Sequence, residues 1–297
     1  MTPTGAGAVF VLLFCIGMLL TSYSGELGLH ENVFITMLVP VLLISVLGLA
    51  DDYGQLPWSA RAIAHLLIAS WGVYLFGFPK LLIGSIELDL GMIGLVFGAI
   101  ALTWFINLYN FMDGIDGIAA GEALFALMSV TIISIFIGDQ QMSVPVLILA
   151  SVLFGFLLIN WPKAKVFMGD VGSGFLGLVL GLFMLSEVLV NVWCWMILFA
   201  WFVTDACLTI SIRLVRGERI YEAHSLHAYQ HLNRALGTGY TLFLIGGINL
   251  VWLLPLGIAA QVYPGFGLGL LVLAAAPLII FQYYCGAGQL SPRVMTD

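Results

Sequence analysis

Residues 33–52, VFITMLVPVLLISVLGLADD, place two adjacent aspartates directly after a nearly uninterrupted apolar run. A bilayer core requires about 20 apolar residues in one helix, with roughly 17 to 25 tolerated. The run from Val33 to Ala50 meets that requirement. It therefore predicts a membrane-spanning helix with Asp51 and Asp52 at its wet end.

The composition extends this interpretation to the whole chain. Of 297 residues, 62% are hydrophobic and 8% are charged, whereas a soluble domain carries about 25% charged residues. So little charge could not cover a surface in water, which excludes a soluble enzyme, a disordered regulator and a fibrous protein. The net charge of −7 argues against nucleic-acid binding, because contact with phosphates needs a basic face.

Ten apolar runs satisfy the length criterion for a membrane span, at about 6–22, 33–49, 60–77, 93–109, 118–138, 143–160, 172–187, 191–212, 239–259 and 265–284. Backbone groups in lipid must pair within such a segment, which favours helices. The sequence therefore predicts an all-α polytopic integral membrane protein of about ten transmembrane helices, forming a single transmembrane domain over 1–297.

The basic residues indicate how these spans are oriented. If helix ends are included, one set of alternate loops contains eight of the nine Lys and Arg residues, whereas the opposite loops contain only Lys80. The eight are Arg61, Lys163, Lys165, Arg213, Arg216, Arg219, Arg234 and Arg293. Such a bias marks cytoplasmic loops. The dense polar clusters occur in these same loops, so we expect one active site on the cytoplasmic face.

The most specific polar cluster is Asn107-Leu-Tyr-Asn110-Phe-Met-Asp113-Gly-Ile-Asp116-Gly117. Asn107 and Asn110 are three residues apart and would share a helix face, and the two Asp-Gly steps are typical of a tight turn. Oxygen ligands of this kind suit Mg²⁺, with Mn²⁺ as the alternative. A purely structural turn is the competing interpretation.

Two further acidic motifs are less specific. Asp51 and Asp52 repel each other, so a cation or a proton must sit nearby, although such a pair could simply end a helix at a wet boundary. The stretch Phe167-Met-Gly-Asp170-Val-Gly-Ser173 puts an acid beside glycines at the start of a span, where a helix N-terminus favours anions. Glycine-rich helix starts are also frequent in membrane proteins that bind nothing there.

The loop from Arg213 to Arg234 is rich in basic residues, among them Arg216. His224 and His227, three residues apart, are expected to point the same way on a helix. These residues suit a diphosphate or a lipid phosphate, although the orientation rule alone explains most of the arginines. Asp205 lies inside an apolar span and is a candidate to line the site or to pair with Arg213. Together the clusters indicate diphosphate chemistry between a lipid phosphate and a soluble nucleotide derivative.

Four motifs, in this order, resemble those of the polyprenyl-phosphate N-acetylhexosamine-1-phosphate transferases of glycosyltransferase family 4. They are Leu49-Ala-Asp51-Asp52, the segment 107–117, the segment 167–173, and His224-Ser-Leu-His227-Ala-Tyr-Gln230. The resemblance runs from about Met1 to Gly257. It implies transfer of a sugar 1-phosphate from a UDP-N-acetylhexosamine to undecaprenyl phosphate, with release of UMP, in the bacterial inner membrane.

The resemblance also implies roles for individual residues. Asn110 and Asp170 would hold Mg²⁺ against the diphosphate. Asp51 and Asp52 would position or deprotonate the lipid phosphate, and Asp113 and Asp116 would shape the nucleotide side. The substrate-binding residues would be Asn107, Arg61, Arg216, His224 and His227. The stretch 227–231, HAYQH, is most similar to the subgroup that starts O-antigen or capsule chains.

The sequence departs from the family pattern at its start. The family usually has one more helix and a Pro-Arg-Gly-Gly-Gly-like loop, whereas this sequence begins Met1-Thr-Pro-Thr4-Gly, so the family's first helix is expected to be missing. Ser225 also replaces an arginine common in the subgroup.

Two other classes compete with this family. The CDP-alcohol phosphotransferases use acidic Asp-Gly motifs, but the stretch 116–121, DGIAAG, lacks the arginine of their pattern. A transporter would place polar residues near the bilayer midplane and often repeat its halves, and neither feature is found. The sugar, the choice between a one-step and a two-step reaction, and the formation of a homodimer stay open.

Overall fold

The computed structural model describes residues 3–24, 31–54, 56–138, 144–219 and 224–290. The chain divides into two compact units, Met1–Val192 and Trp193–Asp297, which are described in turn. The single domain expected over the whole chain stays a prediction.

The described part of the first unit consists of seven helices and one short hairpin. The helices are α1 Ala6–Ser24, α2 Glu31–Gly54, α3 Trp58–Phe76, α4 Gly91–Phe111, α5 Ile118–Phe136, α6 Val144–Asn160 and α7 Gly169–Leu185. Helix α2 continues through Asp51 and Asp52 to Gly54, so the apolar run ends before its helix does. The break predicted after Asn110 is confirmed, because α4 ends at Phe111 and α5 begins at Ile118.

The hairpin lies between α3 and α4 and was not predicted. Strands β1 (Leu81–Ile83) and β2 (Ile86–Leu88) pair antiparallel with Leu81 opposite Leu88. Lys80 before the hairpin contacts Glu87 at 2.9 Å. The exposed acids of this loop therefore pair with its one basic residue.

The second unit begins with α8 (Val192–Leu198) and α9 (Ala200–Val215), which are bent by 68° relative to each other. Helix α10 (Ala228–Leu236) follows a loop, and α11 (Thr238–Ile248) runs through a π-helical turn, Asn249–Leu253, into α12 (Leu254–Val262). A 3₁₀ turn, Pro264–Phe266, leads into α13 (Gly267–Tyr284).

The membrane-spanning character of the fold is confirmed. Within the described ranges, seven helices are long and apolar enough to cross a bilayer, or eight if α8 and α9 form one bent span. Helices α6 and α7 are shorter apolar helices of 17 residues each. Each of the ten predicted runs coincides with one of these helices or with a consecutive pair. The architecture is all-α and polytopic, while the count of ten spans and the cytoplasmic face stay predictions.

Helix α7 forms the centre of the first unit. Every residue from Val171 to Phe183 is buried, and α2 packs against its first turn through Gly48. A Cβ added at Gly48 would lie 2.6 Å from the carbonyl oxygen of Asp170 and 2.7 Å from Cα of Val171. Both are backbone atoms and cannot rotate away, so only glycine permits this close approach.

Replacing Gly48 with alanine is expected to separate α2 from α7 and to lower stability by roughly 1–3 kcal/mol, the usual cost of overpacking. Gly155→Ala is the matched control, because a Cβ at Gly155 meets nothing within 4 Å. Thermal unfolding in detergent measures both variants. Equal melting temperatures for the two would contradict the packing argument.

Candidate active site

The centre of the site is a contact between the end of α4 and the start of α7. Asn110 Nδ2 donates to Asp170 Oδ1 at 2.7 Å and lies 3.0 Å from Ser173 Oγ. Because α4 stops one residue later and α7 begins at Gly169, both side chains stand at helix ends. The two residues predicted to hold the metal are therefore direct neighbours.

Asp52 holds the first turn of α7 in place. Its Oδ1 accepts a hydrogen bond from the backbone N–H of Asp170 at 3.0 Å, and its Oδ2 lies 3.5 Å from the N–H of Val171. A carboxylate is favoured at this end of a helix, where amides lack partners and the dipole is positive. Gly169 makes the approach possible, because a Cβ there would lie 2.7 Å from Asp52 Oδ2. Asp52 thus fixes the backbone that carries Asp170.

Asp51, the other aspartate at this end of α2, is engaged twice. Its Oδ2 forms an ion pair with Arg61, and its Oδ1 accepts from the backbone N–H of Leu56 at 2.8 Å. Its carboxyl group also interacts with that of Asp170. These groups line a narrow cleft of about 10 Å³ together with His65, Asn107 and Asn110. That volume accommodates about one water molecule.

A wider cleft of about 340 Å³ opens on the other side of the Asp170–Asn110 pair. Asp113 and Asp116 line it, and each belongs to the loop between α4 and α5. Asp116 Oδ2 accepts from the backbone N–H of Ala164 at 2.9 Å, so this carboxylate joins that loop to the one before α7. Burial, together with the charge of Asp170, raises the pKa of Asp113 well above its usual range.

The charge of the two clefts favours a bound cation. Among the described residues that line them, one side chain, Arg61, is a permanent cation, whereas four are aspartates: Asp51, Asp113, Asp116 and Asp170. Carboxylates held this close repel one another unless a cation or a proton lies between them. The oxygen-only set is the type that Mg²⁺ prefers.

These residues fit Mg²⁺ as an open site. No three His, Cys, Asp or Glu side chains converge into a metal cage within the described ranges, and Mg²⁺ commonly uses one or two carboxylates plus substrate phosphates. Asn110 meets Asp170 through its amide nitrogen, so ligation through its oxygen requires the amide to turn over. The assignment of Asn110 as a ligand stays a prediction.

The second unit contains its own polar cluster, organised by Asp205. This fully buried carboxylate accepts from the backbone N–H groups of Ala228 at 2.8 Å and Tyr229 at 3.0 Å, and lies 3.5 Å from Nδ1 of His227. It therefore caps α10 from inside a neighbouring helix. This capping contact is structural and differs from both roles expected for Asp205, which were to line the site or to pair with Arg213.

The prediction that His224 and His227 share a helix is wrong. Helix α10 begins at Ala228, and His227 precedes it with an extended backbone, its N–H donating to Gln230 Oε1 at 3.1 Å. Capping of the helix by Asp205 fixes this boundary. The two rings nevertheless lie close, with centroids 4.9 Å apart.

Three arginines of this unit, Arg213, Arg216 and Arg234, contact other groups of the same unit. Arg213 Nε donates to Glu218 at 2.9 Å, and Arg216 Nη1 donates to the carbonyl of Gly288 at 2.7 Å. Arg234 Nη2 donates to the carbonyl of Ser225 at 3.0 Å. The Arg234 contact joins α10 to the segment between His224 and His227. Substrate binding by Arg216 stays a prediction.

The His224 ring gives the protein a pH-dependent stability. Burial, and then the nearby His227 and Arg213, lower the pKa of His224 from 6.5 to about 4. An unfolded chain would bind more protons than the folded one between these values, so stability is complete above about pH 6.5 and is lost as the pH falls toward 4.

We expect the melting temperature of the wild type to fall more steeply between pH 7 and 4.5 than that of His224→Gln. Because the ring is partly exposed, solvent screening limits the difference to about 1 kcal/mol. Parallel melting curves for the two proteins over this range would contradict the prediction.

Two residues of the first unit were missed by the sequence argument. His65 lines the narrow cleft, and Asn160 lines the wide one. Asn160 accepts from the backbone N–H of Gly117 at 2.9 Å and donates to the carbonyl of Val166 at 2.8 Å. A polar residue at the end of an apolar run was the available signal for Asn160. For His65 it was the spacing of four from Arg61, which puts both on one helix face.

Comparison with known proteins places these observations in a family. The model of the family described as Glycosyl transferase family 4 matches residues 34–188, which lie within the first unit. A phospho-N-acetylmuramoyl-pentapeptide-transferase of Streptococcus thermophilus is 31% identical over 193 residues, covering 60% of this chain and 57% of that protein. A putative UDP-N-acetylglucosamine–dolichyl-phosphate N-acetylglucosaminephosphotransferase of Sulfolobus acidocaldarius is 34% identical over 188 residues, with the same coverage of 60% and 57%.

A longer match extends the similarity beyond the family region. A phospho-N-acetylmuramoyl-pentapeptide-transferase of Listeria monocytogenes is 28% identical over 274 residues, which cover 83% of this chain and 82% of that protein. The chain spans little more than half the length of the first two relatives. The match of the family model over more than half of the chain establishes the family resemblance inferred from the motifs: this chain belongs to glycosyl transferase family 4.

Proposed function

We propose that this protein transfers a sugar 1-phosphate of the N-acetylhexosamine type from a UDP-sugar to undecaprenyl phosphate and releases UMP. One observation carries the proposal: Asp170 and Asn110 form the wall shared by two clefts of different size and lining. In a reaction between a soluble diphosphate and a lipid phosphate, each substrate needs its own cleft that leads to the reacting groups. The names of two relatives, a transferase and a phosphotransferase, support the same reaction class.

The wide cleft suits the UDP-sugar. Its volume of about 340 Å³ lies in the range of small-molecule sites. The side chains of Asp116 and Asn160 fix the loops that border it to each other through hydrogen bonds to backbone groups. A diphosphate entering here reaches the Asp170 carboxylate.

The narrow cleft suits one phosphate oxygen of the lipid acceptor's head group, because its volume is that of about one water molecule. Ile44 and Leu47 of α2 provide an apolar wall, and Arg61 provides a positive charge. An amphipathic ligand requires this combination, because its phosphate needs a cation while its chain stays among apolar side chains. The ion pair with Asp51 keeps the guanidinium of Arg61 at the cleft.

In the proposed reaction, an oxygen of the lipid phosphate attacks the β-phosphorus of the UDP-sugar. The bond from that phosphorus to the bridging oxygen breaks, and UMP leaves with the electron pair. Mg²⁺ held by Asp170, with Asn110 as the predicted second ligand, would supply charge neutralisation between the two anionic reactants, and Mn²⁺ would serve likewise. Arg61 orients the acceptor, while Asp52 keeps the Asp170 backbone in register.

The position of the polar groups disfavours the transporter alternative. Asp51 lies near the end of α2, Asn110 near the end of α4 and Asp170 at the start of α7. All three line one cleft, whereas a transport site lies near the bilayer midplane. We propose that this end of the first unit faces the cytoplasm of a bacterium, as the distribution of basic residues predicts.

The test is lipid-dependent release of UMP by the purified full chain with undecaprenyl phosphate and Mg²⁺ or Mn²⁺. The donors are UDP-N-acetylglucosamine, UDP-N-acetylmuramoyl-pentapeptide and UDP-sugars with N-acetylated 6-deoxyhexoses. Release with a 6-deoxy donor supports the O-antigen or capsule role that residues 227–231 suggest, and release with either other donor redirects it. If no donor gives lipid-dependent UMP, the proposed function is wrong.

A further inference from the structure

The turn that follows α13 lies against the segment that carries the two predicted substrate-binding histidines. Helix α13 ends at Tyr284, and residues 285–288 form a turn. The backbone N–H of Gly288 donates to the carbonyl of Leu226 at 2.7 Å. Since Leu226 directly precedes His227, this hydrogen bond reaches the peptide unit that joins them.

That peptide unit is held at both of its polar atoms. Its oxygen accepts from Gly288, and its N–H, which belongs to His227, donates to Gln230 Oε1 at 3.1 Å. A peptide unit is planar, so fixing both atoms fixes the plane from which the His227 side chain departs. The next two amides donate to Asp205. The backbone at His227 is therefore held by the turn, by α10 and by α9.

Glycine is the residue that the turn requires at position 288. The φ of Gly288 is +67°, in the left-handed region that glycine adopts without steric cost. A Cβ there would lie 2.8 Å from Cβ of Ile212 and 3.1 Å from the carbonyl oxygen of Thr209, both on α9. A side chain at this position would therefore displace the turn, and the hydrogen bond to Leu226 with it.

Arg216 contacts the other polar group of Gly288. This arginine, which follows α9, donates from Nη1 to the carbonyl of Gly288 at 2.7 Å. The N–H of Gly288 points to Leu226 and its C=O to Arg216. A chain of hydrogen bonds therefore connects Arg216 through Gly288 to the peptide unit of His227.

We propose that Gly288 is a positioning residue, which holds His227 where it meets the UDP-sugar, and that Arg216 acts on UDP-sugar binding through Gly288. This rests on the proposed function and on the expected contact of His224 and His227 with the UDP-sugar. The effect is confined to the UDP-sugar, because the lipid phosphate is assigned to Arg61 and the narrow cleft.

Gly288→Ala should raise the KM for the UDP-sugar about tenfold, the effect of one misplaced hydrogen bond to a charged group. The KM for undecaprenyl phosphate should be unchanged. The UDP-sugar is the one, among those named above, with which the wild type releases UMP. Gly84→Ala is the matched control, because φ of Gly84 is +62° but a Cβ there meets nothing within 4 Å. It should leave both KM values unchanged.

A double-mutant cycle tests whether Arg216 acts through Gly288. Arg216→Met keeps an apolar side chain and loses the donor, so it should raise the KM for the UDP-sugar about threefold. Added to Gly288→Ala, it should change that KM by less than about twofold, because residues that act through one contact are not additive. Effects that multiply would overturn the route through Gly288.

Hydrogen–deuterium exchange provides a measurement that needs no turnover. The amides of His227, Ala228 and Tyr229 are hydrogen-bonded, so they exchange through local opening. In Gly288→Ala, the peptide covering residues 225–229 should exchange about tenfold faster, as loss of one hydrogen bond predicts, while peptides of α7 keep their wild-type rates. If Gly288→Ala does not fold, Arg216→Met, which changes an exposed residue, should show the same effects to a smaller degree, and it decides.

The outcomes distinguish the two proposals. No UMP release by the wild type with any of the UDP-sugars overturns the proposed function, and the role of Gly288 with it. An active wild type whose KM for the UDP-sugar is unchanged in Gly288→Ala overturns the role of Gly288 alone. Unchanged exchange at 225–229 in that variant also overturns it, as does an equal rise of both KM values with faster exchange in α7, which indicates a general loss of structure.

Discussion

Replacing Asp170 with asparagine is expected to reduce UMP release roughly a thousandfold, since this loss combines a preorganised charge with a metal contact. The carboxylate lies in the wall between the two clefts and next to Asn110, so it adjoins both proposed substrates. Asparagine keeps the size of the side chain and removes the charge. The measurement is kcat for lipid-dependent UMP release with Mg²⁺ in excess.

The melting temperature distinguishes a loss of catalysis in Asp170→Asn from misfolding. Asp170 interacts with the carboxyl groups of Asp51 and Asp52, and its charge acts on Asp113. Removing one negative charge relieves that repulsion, so the melting temperature should not fall. Asp89→Asn makes the same chemical change in the loop beside the hairpin and should leave kcat unaltered. Activity of Asp170→Asn within tenfold of the wild type would rule out a central role for this carboxylate.

The architecture could be predicted because lipid imposes a simple constraint. Apolar runs long enough to span a bilayer must be helices, and every predicted run coincides with a helix or with consecutive helices. The hairpin at 81–88 was missed because its strands have three residues each and carry no periodic signal. The bend of 68° between α8 and α9 was missed for a similar reason, since one continuous apolar run covers both helices.

The sequence predicted which residues belong to the site better than it predicted the contacts that these residues make. The sequence predicted that Asp51, Asn110 and Asp170 lie at helix ends on one side of the membrane, and in the structure all three line one cleft. Hydrogen bonds to the backbone depend on tertiary packing, so the sequence did not reveal that Asp205 caps α10. That capping is also what places His224 and His227 before the helix.

Asp52 is another residue whose contacts differ from the role that the resemblance implied. The sequence assigned it to chemistry on the lipid phosphate, whereas its oxygens contact the backbone amides of Asp170 and Val171. A positioning residue and a reacting carboxylate respond differently to substitution. Asparagine retains an acceptor oxygen for the helix cap and loses the charge, while alanine loses both.

If Asp52 acts by capping α7, Asp52→Ala should lower kcat about a hundredfold, the cost of misplacing a catalytic group by about 1 Å. It should also cost about 0.5–2 kcal/mol of stability, as loss of a helix cap does. Asp52→Asn should retain kcat within about tenfold, because the amide oxygen still accepts from Asp170. The measurements are kcat with both substrates saturating and thermal unfolding of each variant.

Asp89 offers the matched control, because its Oδ1 accepts from the backbone N–H of Gly91 at 2.9 Å at the start of α4. Asp89→Ala removes a carboxylate–amide hydrogen bond at a helix start away from the clefts, so it should lower stability slightly while leaving kcat unchanged. If Asp52→Asn and Asp52→Ala were equally inactive, the result would support the role first expected for Asp52, in the chemistry of the lipid phosphate. An active Asp52→Asn beside an inactive Asp52→Ala would assign its effect to the position of Asp170, because only the acceptor oxygen distinguishes the two variants at that amide.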